Sequence, residues 1–240
     1  MGEVKAKTGM PIYVPEREAQ MLEKRQEQAA ERGVSGSLIE DLMSRIMRES
    51  YHTQNNLYRC INPGIKRVVV IGGAGALGKV FVGLFERSGY NVEIFEKDDW
   101  SRADSLFAEA SLVLVSVPIN LTVDVVAKLN SLPEDCILAD ITSIKHKPLD
   151  AMMQAHKGPV VGLHPMFGPD APGMIKQVVV VCHGRGASHY SWLLGQMQTW
   201  GATLFEVTAQ EHDNAMAFIQ VMRHFKTFVY GAHLAGENPN

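Results

Sequence analysis

Cysteine is scarce in this sequence, and features that mark several classes of protein are absent. The 240 residues include three cysteines, Cys60, Cys136 and Cys182, which are widely spaced and form no CxxC pair. An odd number of scattered cysteines provides neither a disulfide framework nor a tetrahedral zinc site. This spacing excludes a small disulfide-stabilised domain and predicts a reducing compartment.

Long apolar runs and an excess of positive charge are also lacking. No stretch reaches the roughly 20 apolar residues that a membrane-spanning helix needs, and Met1–Lys7 lacks the apolar core of a secretory signal. The formal net charge is -3, from 23 Lys and Arg against 26 Asp and Glu, whereas binding to a phosphate backbone usually requires a strong positive excess. We therefore expect a cytosolic protein that binds neither nucleic acid nor membrane.

The residue pattern changes near Asn62-Pro63-Gly64, where charged helical periodicity gives way to short β-branched runs. We predict a helical region over 1–56, a linker over 57–66, an α/β domain over 67–208 and the start of another helical region over 209–240.

The helical region is predicted to contain two amphipathic helices. The first runs from Pro15 to about Glu31, and the second begins at Ser37, where Ser37 and Glu40 have capping-box spacing. The apolar stripe of the second helix is formed by Leu38, Leu42 and Ile46, with Met43 and Met47 as further candidates. Two such helices cannot bury both stripes alone, so a third helix or another chain is expected to cover them. A buried face on the last helix would likewise lack its cover.

From Lys66 onward, Val/Ile/Leu runs alternate with helical patterns. The predicted strands are Val68–Ile71, Val92–Glu96, Leu112–Val117, Ile137–Asp140, Val160–Leu163, Val178–Val181 and Thr203–Phe205. Helices are predicted from about Ala76, near Thr122–Leu129, over Tyr190–Trp200 and from about Gln210. Strands buried on both faces and separated by helices indicate an α/β fold with a Rossmann-type, doubly wound parallel sheet.

A glycine-rich turn follows the first strand. Gly73-Ala74-Gly75-Ala76-Leu77-Gly78 has the GxGxxG spacing and opens a helix, whose N-terminus would face a pyrophosphate. Glu96 ends the second strand, where a carboxylate accepts hydrogen bonds from an adenosine ribose and disfavours a 2′-phosphate. We therefore predict NAD over NADP, a preference that Lys79 and Lys97 would weaken. The alternative is a structural turn with an unrelated glutamate.

Polar residues follow three further predicted strands. His164 stands just past a strand, where an imidazole can accept a proton from a hydroxyl carbon that loses hydride. Ser143 and Lys145 follow another strand; the serine would orient the imidazole or contact the nicotinamide, and the lysine would hold a carboxylate. Ser116 and Pro118 would lie along the dinucleotide. A histidine capped by backbone and ordinary loop polarity are the alternatives.

The last predicted helix carries two further histidines, His212 and His224, for which solvation on the helix surface is the default interpretation. Lys145-His146-Lys147 is similarly interpreted as a solvated charge cluster. No metal-ligand spacing and no GxSxG nucleophile elbow is found in the sequence.

Several of these segments resemble one family over the whole chain, the bifunctional chorismate mutase/prephenate dehydrogenases of tyrosine biosynthesis known as T-proteins. The resemblance rests on Pro11-Ile12-Tyr13-Val14-Pro15-Glu16-Arg17-Glu18, Ile46-Met47-Arg48-Glu49-Ser50-Tyr51, the glycine loop, Gly162-Leu163-His164-Pro165-Met166-Phe167-Gly168-Pro169, Glu211-His212-Asp213 and Met216-Ala217-Phe218-Ile219-Gln220.

The resemblance implies two reactions and assigns residues to each. In the dehydrogenase, NAD takes hydride from prephenate while His164 accepts the hydroxyl proton, and loss of carbon dioxide gives 4-hydroxyphenylpyruvate. The same resemblance implies that Ser143 supports His164, that Lys145 lies near the substrate, and that His212 and His224 contact the substrate or the inhibitor tyrosine.

In the mutase, chorismate rearranges to prephenate. The resemblance implies that Lys5 and Gln54 bind the ether oxygen, Glu18 the ring hydroxyl and Ser50 another part of the substrate.

The family resemblance also implies a homodimer in the intact protein. It further suggests that this chain lacks the family's first mutase helix and C-terminal dimerisation domain, so that the nucleotide-binding core is retained while both reactions are weak or absent. Two alternatives stay open: another NAD-dependent hydroxyacid dehydrogenase with an unrelated helical appendage, and an NAD-binding module without catalysis.

Overall fold

The computed structural model describes residues 15–54, 58–129, 131–171 and 173–236. The helices within these ranges are α1 (Pro15–Ala30), α2 (Gly36–Gln54), α3 (Ala76–Arg87), α4 (Ala103–Phe107), α5 (Ile119–Val126), α6 (His146–Ala155), α7 (Ala187–Thr199) and α8 (Ala209–Gly236). The strands are β1 (Val68–Ile71), β2 (Val92–Phe95), β3 (Leu112–Val115), β4 (Ile137–Asp140), β5 (Val160–Pro165), β6 (Val178–Arg185) and β7 (Thr203–Glu206). A 3-10 turn over Trp100–Arg102 precedes α4.

Helices α1 and α2 pack against each other as a hairpin. Gln26 Nε2 of α1 donates a 3.1 Å hydrogen bond to Glu40 Oε2 of α2. Helix α2 begins at Gly36, so the predicted start at Ser37 is wrong by one residue; the Ser37 hydroxyl lies 2.7 Å from Ser35 Oγ. Within the predicted apolar stripe of α2, the side chains of Leu38, Leu42 and Ile46 are about half exposed. The hairpin therefore leaves this face uncovered, as its amphipathic pattern predicted.

The strands form one seven-stranded sheet in the order β2-β1-β3-β4-β5-β6-β7. Strands β1 to β5 are mutually parallel, β6 is antiparallel to β5, and β7 is parallel to β6. The predicted α/β class and doubly wound sheet are confirmed, but β6 and β7 run opposite to the rest. The described residues of the connection over 166–177 form no helix. A crossover helix usually separates parallel neighbours, so its absence here agrees with an antiparallel return.

Buried side chains cover both faces of the sheet. Phe81 and Phe85 of α3 pack on one face with Tyr190 and Trp200, while the cluster on the other face includes Phe95, Phe107 and Met152. Strands β1, β3 and β4 are buried along their whole length. This two-sided burial holds the carboxyl ends of the central strands in fixed positions.

The segment before β1 is bound to the α/β domain through Gln196 of α7. Gln196 Oε1 accepts hydrogen bonds from the Ile61 N–H at 2.9 Å and from the Tyr90 hydroxyl at 2.8 Å, and its Nε2 donates to Arg59 O at 3.1 Å. Most of the predicted linker is therefore anchored to the domain that follows it.

Among the described residues, no helix is both long and apolar enough to cross a membrane. Within the same residues, no group of three or more His, Cys, Asp and Glu side chains is arranged to hold a metal ion.

Candidate active site

A groove opens where the connections from the sheet diverge. Strand β1 lies between β2 and β3, so the chain leaves β1 toward one side and β3 toward the other. Ligands of doubly wound sheets bind in the crevice at such a switch point, outside the carboxyl ends of the strands. The groove here has a volume of about 240 Å³. Its lining consists of Gly75, Ala76, Leu77, Ser116, Val117, Pro118 and Ile141.

The glycine loop leaves no room for side chains at its tightest points. A Cβ on Gly78 would lie 2.3 Å from Gly72 O, and one on Gly72 would lie 2.5 Å from Ser116 O. Gly72 also has φ +78, a left-handed conformation that favours glycine. A Cβ on Gly73 would meet Ile94 at 3.1 Å. Gly75 caps α3 without a side-chain hydrogen bond, so the first N–H groups of α3 remain for an anion. These residues fit the pyrophosphate of a dinucleotide.

Glu96 lies against the glycine loop, at the end of β2. Its Oε1 accepts a 2.8 Å hydrogen bond from the Ala74 N–H, and its own N–H donates to Asp99 Oδ2 at 2.9 Å. In the described part of the chain, neither Lys79 nor Lys97 forms an ion pair with this carboxylate. The negative charge therefore stays available to oppose a 2′-phosphate at this position.

His164 lies at the carboxyl end of β5 and contacts a second histidine. Its Nδ1 is 2.8 Å from His212 Nε2, and His212 Nδ1 is 2.7 Å from Asp213 Oδ1. The exposed fractions are 8% for His164 and 3% for His212. His212 is therefore not solvated on a helix surface as the sequence suggested, because the first turn of α8 packs it against the end of the sheet.

The Asp213 carboxylate is held at the N-terminus of α6. Its Oδ1 accepts the Lys145 N–H at 2.8 Å, and its Oδ2 accepts the His146 N–H at 3.0 Å. Burial raises the pKa of Asp213, but the hydrogen bonds from His146, His212 and Lys145 outweigh it and hold the pKa below its usual value. The group is therefore an ionised acceptor at neutral pH.

Burial lowers the pKa of His164 to about 4, and the neighbouring His212 and Lys145 add to this effect while Asp213 opposes it. At neutral pH the imidazole is uncharged. His164 lies at the carboxyl end of the strand next to β4, and Ile141, which follows β4, lines the groove. An uncharged imidazole at this edge of the sheet has a lone pair that can accept a proton.

Lys145 occupies a different place from the one expected. Its Nζ lies 2.6 Å from Asp140 Oδ2 and donates to Leu163 O at 2.7 Å, and the side chain has no exposed surface. Burial lowers the pKa of Lys145, and the charge of Asp140 opposes this shift. Because both of these contacts are internal, the structure does not present this ammonium to a substrate carboxylate, and the interpretation of Lys145 as part of a solvated cluster is wrong.

The other expected site residues differ in what the structure shows. Ser143 is half-buried after β4, and among the described residues no hydrogen bond joins it to His164. His224 lies on α8, and Glu18, Ser50 and Gln54 lie on α1 and α2, but their side chains are outside the described part, as is all of Lys5.

Sequence reasoning missed Asp213 and Asp140 as members of the site. Asp213 follows His212 directly, but only the packing of α8 beside α6 shows what its carboxylate binds. An aspartate ending a strand of apolar residues, as Asp140 does, was the available signal for a buried charge with a partner.

Comparison with known proteins adds two family models. The model described as chorismate mutase type II matches residues 1–55, and the model described as prephenate dehydrogenase, nucleotide-binding domain, matches residues 92–182. The curated T-protein of Enterobacter agglomerans is 52% identical over 241 residues, covering 100% of this chain and 65% of its own length. The T-protein of Haemophilus influenzae is 47% identical over 242 residues, covering 100% of this chain and 64% of its own length.

A solved structure supports the fold independently. The prephenate dehydrogenase of A. aeolicus, in complex with hydroxyphenyl propionate and NAD+, superposes with a TM-score of 0.53 at 16% identity, over 67% of this chain and 70% of that one. The chain spans slightly less than two thirds of the length of the two T-proteins. Over its whole length the chain is similar in sequence to the two T-proteins, with a match to the chorismate mutase type II model in its first part and to the prephenate dehydrogenase nucleotide-binding model in its second.

Proposed function

We propose that the protein is a bifunctional enzyme of tyrosine biosynthesis, which rearranges chorismate to prephenate and oxidises prephenate with NAD to 4-hydroxyphenylpyruvate. One observation carries the dehydrogenase half. A glycine-lined groove at the switch point and an uncharged histidine, His164, occupy the same carboxyl edge of one sheet. The two T-proteins and the NAD complex of the A. aeolicus enzyme support the choice of substrate and cofactor.

The groove residues would hold NAD, which accepts hydride when it is bound. The N-terminus of α3 binds the pyrophosphate, Glu96 binds the adenosine ribose, and Ser116 and Pro118 line the far wall of the groove. His164 accepts the hydroxyl proton of prephenate as carbon dioxide leaves. Since aromatisation of the ring drives the reaction, the protein contributes mainly orientation and a correctly placed base.

Ser143 remains the residue proposed to support His164 or to contact the nicotinamide, because it follows β4 at the same edge of the sheet as His164. His224 of α8 is a further proposed contact on the substrate side. The expected substrate contact of His212 is not retained, because both of its ring nitrogens already have partners within the protein.

The mutase half is assigned to residues 1–56, with Lys5, Glu18, Ser50 and Gln54 as its substrate contacts. The rearrangement needs no acid or base, so cations for the carboxylates and donors for the ether oxygen are sufficient. The family model over 1–55 supports this assignment.

We also propose that the intact protein is a cytoplasmic homodimer inhibited by tyrosine. The uncovered apolar residues of α2 and α8 support the dimer, since faces of this kind are normally buried. In α8 the exposed residues include Phe218, Val221, Phe225 and Phe228.

The test is NADH formation when the chain is mixed with prephenate and NAD, together with calorimetric measurement of NAD binding. We expect NAD binding and only slow NADH formation, and His164→Ala should abolish that NADH formation. His189→Ala, which changes an exposed histidine of α7, is the matched control and should retain the activity. NAD binding with equal NADH formation in His164→Ala and in the unchanged chain would contradict the role of His164.

The same assay discriminates the alternatives. Turnover of a β-hydroxyacid without turnover of prephenate would favour another NAD-dependent dehydrogenase. If the chain binds NAD but shows no activity that is lost in His164→Ala, a module that binds NAD without catalysis would be favoured.

A further inference from the structure

His164, His212 and Asp213 form a continuous hydrogen-bonded line at the end of the sheet. Successive atoms along it are 2.8 Å apart between His164 Nδ1 and His212 Nε2, and 2.7 Å apart between His212 Nδ1 and Asp213 Oδ1. We infer that His212, fixed by Asp213, is a positioning residue that sets the tautomer of His164 and receives its displaced proton. This inference deepens the proposed function, because it rests on His164 as the proton acceptor.

The tautomers follow from the carboxylate. An ionised carboxylate only accepts hydrogen bonds, so His212 Nδ1 must carry the proton that it shares with Asp213. A neutral imidazole has one donor and one acceptor, so His212 Nε2 is then an acceptor. His164 Nδ1 must therefore donate to it, which leaves the lone pair of His164 on Nε2. One carboxylate thus selects, through two rings, the nitrogen of His164 that is free to take a proton.

Two features favour this distribution of protons on the imidazole nitrogens over the alternatives. The Asp213 carboxylate accepts backbone N–H groups from Lys145 and His146 at the start of α6, which fixes its position and favours its charged form. Both imidazoles are almost fully buried, so water does not compete for their nitrogens. The rings meet edge to face, with centroids 5.0 Å apart and planes at 78°.

The line also gives the accepted proton a place to go. When His164 Nε2 takes the hydroxyl proton, the proton on His164 Nδ1 can pass to His212 Nε2. His164 is then neutral again, with its proton on Nε2, and His212 is an imidazolium beside the Asp213 carboxylate. One proton has been gained by the pair, and no other bond has changed. The positive charge ends next to a carboxylate rather than next to the buried ammonium of Lys145.

The test is a nitrogen-15 NMR measurement of the imidazole tautomers in the ligand-free 240-residue chain, with His164 and His212 signals assigned from single substitutions. We expect both histidines to be protonated at Nδ1 at neutral pH. Asp213→Asn should convert each into a mixture of tautomers. Glu206→Gln is the matched control, because it removes the carboxylate partner that lies 3.1 Å from His183, and should leave both tautomers unchanged.

The outcomes separate this inference from the proposed function. Protonation of His164 at Nε2, or a tautomer unchanged by Asp213→Asn, would overturn the inference whatever the chain does with prephenate. Should Asp213→Asn unfold the chain, His212→Phe provides a second readout, because it keeps a ring but removes the nitrogen that accepts from His164, and His164 should then become a mixture of tautomers. In an active chain, Asp213→Asn should lower kcat by about tenfold to a thousandfold with little change in KM. If Asp213→Asn lowers both kcat and the free energy of unfolding while both tautomers stay unchanged, the role of Asp213 is purely structural.

Discussion

Lys145 Nζ lies 2.6 Å from Asp140 Oδ2, and neither side chain has any exposed surface. The same ammonium donates to the carbonyl of Leu163, the residue before His164. Gly162 makes room for the pair, since a Cβ there would lie 3.2 Å from Lys145 Cδ and 3.4 Å from Asp140 Oδ1. This buried ion pair therefore joins the end of β4 to β5 at Leu163, the residue before His164.

Removal of one partner of this pair should be costly. Lys145→Met leaves the Asp140 charge buried and uncompensated, so the free energy of unfolding should fall by about 3–5 kcal/mol. Lys147→Met, on the exposed neighbour two residues away, should change it by less than about 0.5 kcal/mol. Urea denaturation of both variants measures the difference.

The double variant Lys145→Met/Asp140→Asn tests the cause. Because no uncompensated charge remains, it should recover part of the lost stability. Equal stability of Lys145→Met and Lys147→Met would show that the pair contributes nothing to folding.

The glycine loop should tolerate no side chain at Gly78. In Gly78→Ala the new Cβ meets the Gly72 carbonyl, so the loop must move and NAD affinity should fall at least tenfold by calorimetry. Gly83→Ala, in the same helix with open space around the new Cβ, is the control. Its NAD affinity should be unchanged, and its stability should rise by about 0.5–1 kcal/mol. Similar NAD affinities in Gly78→Ala and Gly83→Ala would show that the glycine loop does not bind the pyrophosphate of NAD.

Glu96 should determine the choice between NAD and NADP. In Glu96→Ser the charge that opposes a 2′-phosphate is gone while a hydroxyl remains near the Ala74 N–H. The ratio of the two dissociation constants should therefore shift toward NADP by at least tenfold, with Glu93→Ser on the same strand as control. An unshifted ratio would show that Glu96 does not contact the ribose.

Stability should depend on pH through His164. Its pKa is about 4 in the folded chain against an ordinary value of 6.5, so between these limits the unfolded chain binds a proton that the folded chain does not. The contribution is fully present above pH 6.5 and is lost as the pH falls toward 4. We expect the midpoint of thermal unfolding to drop less over this window in His164→Asn than in the unchanged chain. Parallel curves for the unchanged chain and His164→Asn would contradict the buried, neutral imidazole.

Gln196 should be required to hold the segment before β1. Gln196→Met keeps the side-chain volume but leaves the Ile61 N–H and the Tyr90 hydroxyl without their acceptor, which should lower the free energy of unfolding by about 2–4 kcal/mol. Gln198→Met, on the exposed side of the same helix, should have little effect. Limited proteolysis should also release residues 58–66 faster in Gln196→Met, and equal protection would contradict the anchor.

Local pattern was sufficient for most of the fold. The Val/Ile/Leu runs predicted all seven strands to within a few residues at their ends. The reason is clearest for β1, β3, β4 and β5, which are buried throughout and so need uninterrupted apolar residues, whereas β2 and β7 are partly exposed. Helix α6 was missed, since its first turn contains charged residues and Pro148 that resemble a loop, while a carboxylate from distant α8 caps it. The reversal of β6 was missed as well, because strand direction depends on how a connection returns and not on strand composition.

By itself, the sequence determined the glycine loop, Glu96 and His164, since short-range spacing after a strand is enough to place a turn or a strand-end side chain. Only the tertiary structure decided what those groups meet. Lys145 and Asp140 are close in the chain, yet their burial depends on β5 lying beside β4. Asp213 stands 49 positions beyond His164, and only the docking of α8 brings it into line with that histidine. The charges of the groups at this edge of the sheet depend on contacts between distant segments, which the residue pattern along the chain does not encode.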